Sequence, residues 1–256
     1  MMKCLIPSYD RVDRCRTVEY LHSIGVPRGD IFIATQNERD RDAYTERHGD
    51  KARILYREAH NCAGNRNTLV QVLEEGEIAL FLDDDLRSIQ RYVMPTEGER
   101  YGHLEDMDGA AFYAMCAEAE RIIENEGAWL IGTAWNTNTV NIFRQMSKGK
   151  NWSWQKTLSG ATLFAKNCDQ LYFDETIDCL DDTEICLRYI QLGMSVLRVT
   201  AWVMNKPKDT TEKGGCYEVY QSGKKIDVLK EMDRRFYPLA KHKKDWTGMQ
   251  VRSGLR

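Results

Sequence analysis

The chain contains the run Ile78-Ala79-Leu80-Phe81-Leu82 followed directly by Asp83-Asp84-Asp85. Five apolar residues in unbroken succession suit a strand buried on both faces, as in the middle of a parallel sheet. The abrupt change to carboxylates puts the acidic loop at the strand's carboxyl end, the edge where open α/β sheets gather ligands. Three adjacent carboxylates repel one another, so a site that keeps them ionised calls for a cation. Hard divalent ions such as Mg2+ or Mn2+ take oxygen ligands and bridge to phosphates. A solvated acidic loop is the plain alternative.

The residues around this run alternate between strand and helix patterns. Lys3 to Pro7 reads as a first strand, and Pro7-Ser8-Tyr9-Asp10-Arg11 as the loop after it, because proline cannot continue a central ladder. Val12, Cys15, Val18, Leu21 and Ile24 have helical spacing, with Gly25 as the stop. Asp30 to Thr35 is a second strand, Arg39 to His48 a charged surface helix, and Ala52 to Tyr56 a third strand. His60 to Asn67 reads as a loop entering a helix from Leu69 to Glu75, ended by Gly76 before the Ile78–Leu82 strand. This alternation predicts a mostly parallel, doubly wound sheet flanked by helices. Right-handed crossovers then put the loops after the first and fourth strands on one edge.

Beyond the acidic loop the pattern weakens. Gln90 to Asp106 reads as strand remnants and a mobile loop, and Gly109 to Glu126 as an alanine-rich helix. Ala128 to Ile131 reads as a short strand and Asn136 to Trp154 as a loop rich in Asn, Lys and Trp. Gly160 to Ala165 reads as a strand returning to the sheet, and Asp182 to Leu192 as a helix closed by Gly193. Ser195 to Val203 is the last strand. The division expected is a domain over residues 1–205 with a basic segment, 206–256, packed on it.

Composition narrows the class. Across 256 residues, 42% are hydrophobic and 29% charged, which suits a folded globular chain with a real core. No apolar run approaches the roughly 18–20 residues of a membrane span, and the apolar start is too short for a signal peptide. Eight scattered cysteines with no Cys-x-x-Cys pair argue against a zinc site and fit reduced thiols in a cytoplasm. The net charge of −3 conceals an asymmetry: residues 198–256 hold 14 Lys/Arg against 7 Asp/Glu. A basic end on an acidic body fits a polyanion-binding face or a merely solubilising tail.

A second acidic group, Asp181-Asp182-Thr183-Glu184, opens the late helix. Carboxylates there complement the helix dipole and cap free N–H groups. Two in a row before the cap also suit a general base, which needs hydrogen-bond reach to the hydroxyl it deprotonates.

Taken in order, Pro7-Ser8-Tyr9-Asp10-Arg11, Gly64-Asn65-Arg66-Asn67, Leu80-Phe81-Leu82-Asp83-Asp84-Asp85 and Asp181-Asp182-Thr183-Glu184 resemble a GT-A-fold, Rossmann-like glycosyltransferase over residues 3 to 200. More narrowly, the chain is similar to phage glycosyltransferases associated with TET/JBP-type base hydroxylases. The resemblance implies a nucleotide-sugar donor, a UDP-sugar favoured, with its diphosphate held through Mn2+ or Mg2+ on a DxD motif. It implies that Asp83 and Asp85 are the metal carboxylates, with Asp83 also near the ribose. Asp182 matches the family's catalytic Asp, but Asp181 stands where Glu is usual, so the choice of base between them stays open. Pro7, Ser8, Tyr9 and Arg11 would wrap the nucleotide, and Asn65 and Arg66 would approach it from a helix start. No late metal-binding His is evident; Lys206 to Cys216, with Lys213 beside two glycines, would supply a diphosphate loop or form a plain hairpin.

The implied activity is transfer of a hexose, with inversion, to a hydroxyl such as that of a 5-hydroxymethylpyrimidine in DNA. A saccharide or lipid acceptor, retention of configuration, a nucleotidyltransferase and a non-catalytic binding module are the alternatives. The lack of glycine in Pro7-Ser8-Tyr9 disfavours the nucleotidyltransferase. The Lys241-His242-Lys243-Lys244 cluster before Trp246, Arg234-Arg235 before Phe236-Tyr237, and Trp135, Trp152 and Trp154 would then meet DNA and a flipped base.

Overall fold

The structure is a computed structural model that describes residues 2–134, 138–155, 157–158, 161–206, 219, 221–243 and 248–251. It opens with β1 (Lys3–Pro7), α1 (Arg16–Ser23), β2 (Ile31–Thr35), α2 (Glu38–His48), β3 (Arg53–Tyr56), α3 (Cys62–Val70) and β4 (Ile78–Leu82). These four strands pair in parallel in the order β3-β2-β1-β4. Their side chains alternate between two cores. Cys4, Ile6, Ile31, Ile33, Leu80 and Leu82 face one, with Val18 and Leu21 of α1. Leu5, Phe32, Ala79 and Phe81 face the other, with Ala63 and Leu69 of α3. Each fully buried side chain of this size contributes about 1.5–3 kcal/mol, which sets the register of the central strands. As the alternation predicts, the loops after β1 and β4 lie side by side.

Next come β5 (Ser88–Val93), β6 (His103–Asp106), α4 (Gly109–Glu126), β7 (Ala128–Ala134), α5 (Thr139–Met146), β8 (Trp152–Trp154), β9 (Thr162–Lys166), α6 (Asp181–Gln191) and β10 (Ser195–Asn205). The sheet continues from β4 as β9-β7-β10-β5-β6, with β8 also on β10. It is mixed rather than purely parallel: β9 runs antiparallel to both β4 and β7, while β10 is parallel to β7. The stretch expected to hold strand remnants and a mobile loop is a hairpin, β5 paired to β6, and β5 is anchored on β10. Its alternation is diluted by half-buried Gln90 and exposed Arg91. The stretch read as one loop after β7 contains α5, which Asn138 caps by accepting from Val140 and Asn141 N–H groups.

The largest local departure is α3. It starts at Cys62, well before the predicted Leu69, because Asn61 caps it by accepting from the Gly64 N–H. A Cβ on Gly64 would stand 2.7 Å from the Ala59 Cβ, so glycine permits this close passage of the chain. Asn65 and Arg66 therefore lie buried within the helix, close to its start.

The chain ends, as described, with α7 (Lys224–Arg235) and a small pair, β11 (Ala240–His242) with β12 (Met249–Val251). Leu229, Met232, Phe236, Ala240 and Met249 pack together with Ile177 and with Leu187 of α6. Among the described residues no helix is long and apolar enough to cross a membrane.

Candidate active site

The strongest concentration of buried charge is at the carboxyl edge of β1 and β4. The β4 ladder closes where Asp83 N–H donates to the Ala161 carbonyl at 3.2 Å. The start of α1 then fastens the acidic turn. Thr17 Oγ1 donates to the Asp83 carbonyl at 2.5 Å and accepts from Leu86 N–H, while Thr17 N–H donates to the Asp84 carbonyl.

The three carboxylates have distinct surroundings. Asp84 is the inward one: Ser8 Oγ donates to its Oδ2 at 2.5 Å and Arg11 Nη1 to its Oδ1 at 2.9 Å. Ser8 also shares a 2.6 Å hydrogen bond with the Tyr44 hydroxyl, which accepts from Arg11 N–H. Asp83 accepts from Arg66 Nη2 at 3.1 Å on one oxygen and from Lys206 Nζ at 3.0 Å on the other. Asp85 Oδ2 lies 3.3 Å from Arg11 Nη1, whereas its Oδ1 is buried without a hydrogen-bond partner among the described residues. Burial pushes the Asp85 carboxyl up to about 7, with Asp83 and Asp84 adding to it against the pull of Lys206. Burial opposes ionisation of Asp83 too, yet Lys206 and Arg66 hold it below the ordinary range.

Arg66 joins this loop to α6. Its side chain is 3% exposed, and its Nε stands 2.9 Å from Asp181 Oδ2 while Nη2 reaches Asp83. The guanidinium lies 5.3 Å from the centroid of the Phe173 ring. Burial works against its charge, but Asp181 and Asp83 outweigh it and raise its pKa. The helix cap is Leu180, left-handed at φ 66° and without a side-chain capping bond. Both acidic residues thus sit inside the first turn rather than ahead of it. Asp181 faces inward to Arg66, whereas half-buried Asp182 accepts from Thr183 N–H at 2.6 Å.

Several residues expected to wrap a nucleotide are occupied within the protein. Ser8 is buried on Asp84 and Tyr44, Asn65 Nδ2 donates to the Ser8 carbonyl at 2.9 Å, and Arg11 grips Asp84 and Asp85. Pro7 is buried at the end of β1, while Tyr9, 40% exposed, projects beside it. Lys213 lies outside the described residues, as do Trp135, Lys244 and Trp246. On the basic end Phe236 belongs to the core, Tyr237 is 68% exposed, and Lys241 and Lys243 are exposed. Arg234 and Arg235 are engaged by Glu231, and Arg235 also by Asp174. Trp152 is half-buried against the α1–α4 core, and Trp154 is exposed. Sequence reasoning missed Tyr44 and Thr17, which no local motif marks, and the pairing of Lys206 with Asp83, although the segment Lys206 begins was singled out.

A parallel β3-β2-β1-β4 half-sheet, an antiparallel β9 beside it and carboxylates at the β4 edge define the GT-A fold of glycosyltransferases. The chain belongs to the TET-associated glycosyltransferase family, whose profile matches residues 2–215. Among solved structures it is similar to the mannosyltransferase PcManGT from Pyrobaculum calidifontis in complex with GDP-Man and Mn2+. That similarity has a TM-score of 0.58 at 14% identity and covers 91% of this chain and 63% of the other. GalNAc-T7 with UDP, GalNAc and Mn2+ gives 0.48 at 10% identity, covering 80% of this chain and 44% of that one. The chain therefore spans less than two thirds of either protein's length. No curated protein matches it.

Proposed function

We propose that this protein transfers a hexose from a nucleotide-sugar donor, a UDP-sugar by preference, to the hydroxyl of a 5-hydroxymethylpyrimidine in DNA, with inversion and with help from a divalent metal ion. The observation that carries the reading is the Asp83–Arg66–Asp181 bridge, which ties the acidic end of β4 to the first turn of α6.

Among the described residues no group of three or more His, Cys, Asp or Glu side chains forms a ready cage for a metal ion. Mg2+ and Mn2+ at nucleotide sites commonly take only one or two carboxylates, with phosphate and water completing the shell. Asp85 suits that role, since its Oδ1 is buried with no hydrogen-bond partner among the described residues, and Asp83 is the second carboxylate. The donor set is all oxygen, as these ions prefer. The ion would supply positive charge to the leaving diphosphate.

Asp84 is engaged by Ser8 and Arg11, so its part is to hold the β1 and β4 loops together. Tyr9 is exposed beside them and is offered to the nucleotide base. Asp182 is the base: Asp181 is committed to Arg66, and Asp182 stands beside it on the half-buried side of the turn. Its carboxylate would take the acceptor hydroxyl's proton as the new glycosidic bond forms and the bond to the diphosphate breaks. Attack from the face opposite the leaving group inverts the anomeric centre. Arg66, fixed between Asp83 and Asp181, is pre-organised and needs no reorganisation as charge develops on the diphosphate.

The TET association in the family's name and the exposed Lys241, Lys243 and Tyr237 support this acceptor. The test is a thermal-shift panel of nucleotide sugars with and without Mn2+, since a ligand bound by the native state raises its stability by mass action. Mass measurement of hydroxymethylated DNA incubated with the best donor follows. A metal-dependent shift and a hexose mass increment support the reading. No shift with any donor, or sugar appearing on no DNA, refutes it.

A further inference from the structure

The late cation Lys206 has a place in the site that the reaction outlined above does not use fully. Arg87 N–H donates to the Asn205 carbonyl at 2.8 Å, and Ser88 pairs with Asn205 in the β5–β10 ladder. That pairing delivers the next residue, Lys206, to the acidic turn across a sequence separation of 123 residues. Its Nζ reaches Asp83 Oδ2 at 3.0 Å with the side chain 18% exposed. Its charge is also the largest attraction felt by Asp85.

The three cations that the described residues bring to the site differ in kind. Arg11 and Arg66 are 10% and 3% exposed; Arg11 reaches Asp84 and Asp85 from Nη1, and Arg66 spans Asp83 and Asp181 with Nη2 and Nε of its planar guanidinium. Lys206 is a compact charge on a flexible four-carbon stem at a strand end. It is the cation best able to move. Among the described residues, Asp83, Asp84 and Asp181, with Asp85 once its proton has left, set against Arg11, Arg66 and Lys206 leave one net negative charge. A divalent ion overshoots that balance unless it arrives with an anion.

We infer that Lys206 is a built-in counter-cation of Asp83 that competes with the divalent ion, so that metal binds firmly only together with a nucleoside diphosphate, to which Lys206 transfers its contact. The inference rests on the assignment of the metal to Asp83 and Asp85. It makes the site respond to the donor as a complex of metal and diphosphate rather than to the free ion. Breaking the Lys206–Asp83 contact frees one carboxylate oxygen for the metal, and the phosphate oxygens offer the ammonium a replacement.

The test is Mn2+ binding by the full chain, read from the electron paramagnetic resonance signal of free Mn2+, with and without UDP or GDP. Wild type is compared with Lys206→Met, Lys206→Gln and Lys206→Arg. Loss of one unit charge a few ångström from a divalent ion is expected to tighten binding of Mn2+ alone about tenfold or more, even with water's full screening. The same loss should shrink the enhancement of Mn2+ affinity by the diphosphate about tenfold, while Lys206→Arg keeps the wild-type pattern. Unchanged or weaker Mn2+ binding in both neutral variants, with wild type still binding, overturns the role of Lys206 and leaves the metal assignment standing. Absence of Mn2+ binding in every protein, with and without diphosphate, overturns the metal assignment itself and the inference with it.

Discussion

Replacing Arg66 by methionine tests the bridge on which the site depends. The substitution keeps a long, unbranched side chain over Phe173 but removes the charge between Asp83 and Asp181. Asp83 retains Lys206, so the cost falls mainly on Asp181, whose side chain is 7% exposed. Removing one partner of a buried ion pair costs about 3–5 kcal/mol, because the other charge stays buried. For a chain of this size about 1 kcal/mol shifts Tm by about 2–4 °C, so a fall of roughly 6–20 °C is expected. Urea unfolding measures the loss. The double variant Arg66→Met/Asp181→Leu should recover at least about 1–2 kcal/mol relative to additivity, since the two residues touch. A loss below about 1 kcal/mol with additive behaviour would refute the buried bridge.

Asp182→Asn should lower transfer by about 10²-fold or more with donor binding and stability kept, the size of a lost general base. Asp181→Asn should instead lower stability by stranding Arg66, and the reverse ranking in turnover and melting would move the base to Asp181. Because Asp85 is pushed up to about 7, its proton must leave before it can ligate. Mn2+ affinity should therefore rise about tenfold per pH unit below that value and level off above it. Asp85→Asn should weaken binding and flatten the profile; an unchanged slope in calorimetry would sink the assignment. By the same sign, this raised carboxyl makes the metal-free fold lose stability as pH climbs from the unfolded carboxyl value toward 7. Binding of hydroxymethylated duplex should fall steeply with salt, and Lys241→Glu with Lys243→Glu should reduce the log–log slope by about 0.9 per lost phosphate contact. An unaltered slope excludes β11 from the DNA face.

The β4 run was legible because it is local: an apolar pentad bounded by carboxylates admits one placement in an α/β sheet, and α2 and α4 carry their own caps at Asn37 and Asp108. Helix stops were equally legible at Gly25 and Gly193, whose φ angles of 83° and 77° suit a residue without a Cβ. The family resemblance, carried by short motifs in order, pointed to the same fold. The direction of β9, the β5–β6 hairpin and the early start of α3 were not legible, because periodicity reports which face is buried and not which strand lies alongside. The division of labour among the acidic residues also waited for the fold. Nothing near Asp84 in the chain says that it belongs to Ser8 and Arg11, 76 and 73 residues away. Nothing near Asp181 says that it belongs to Arg66. Residue type supplied the charges; the register of β10 on β5 and the approach of α3 to α6 decided which charge neutralises which, because a buried ion is stabilised only by the partner that packing brings within a few ångström.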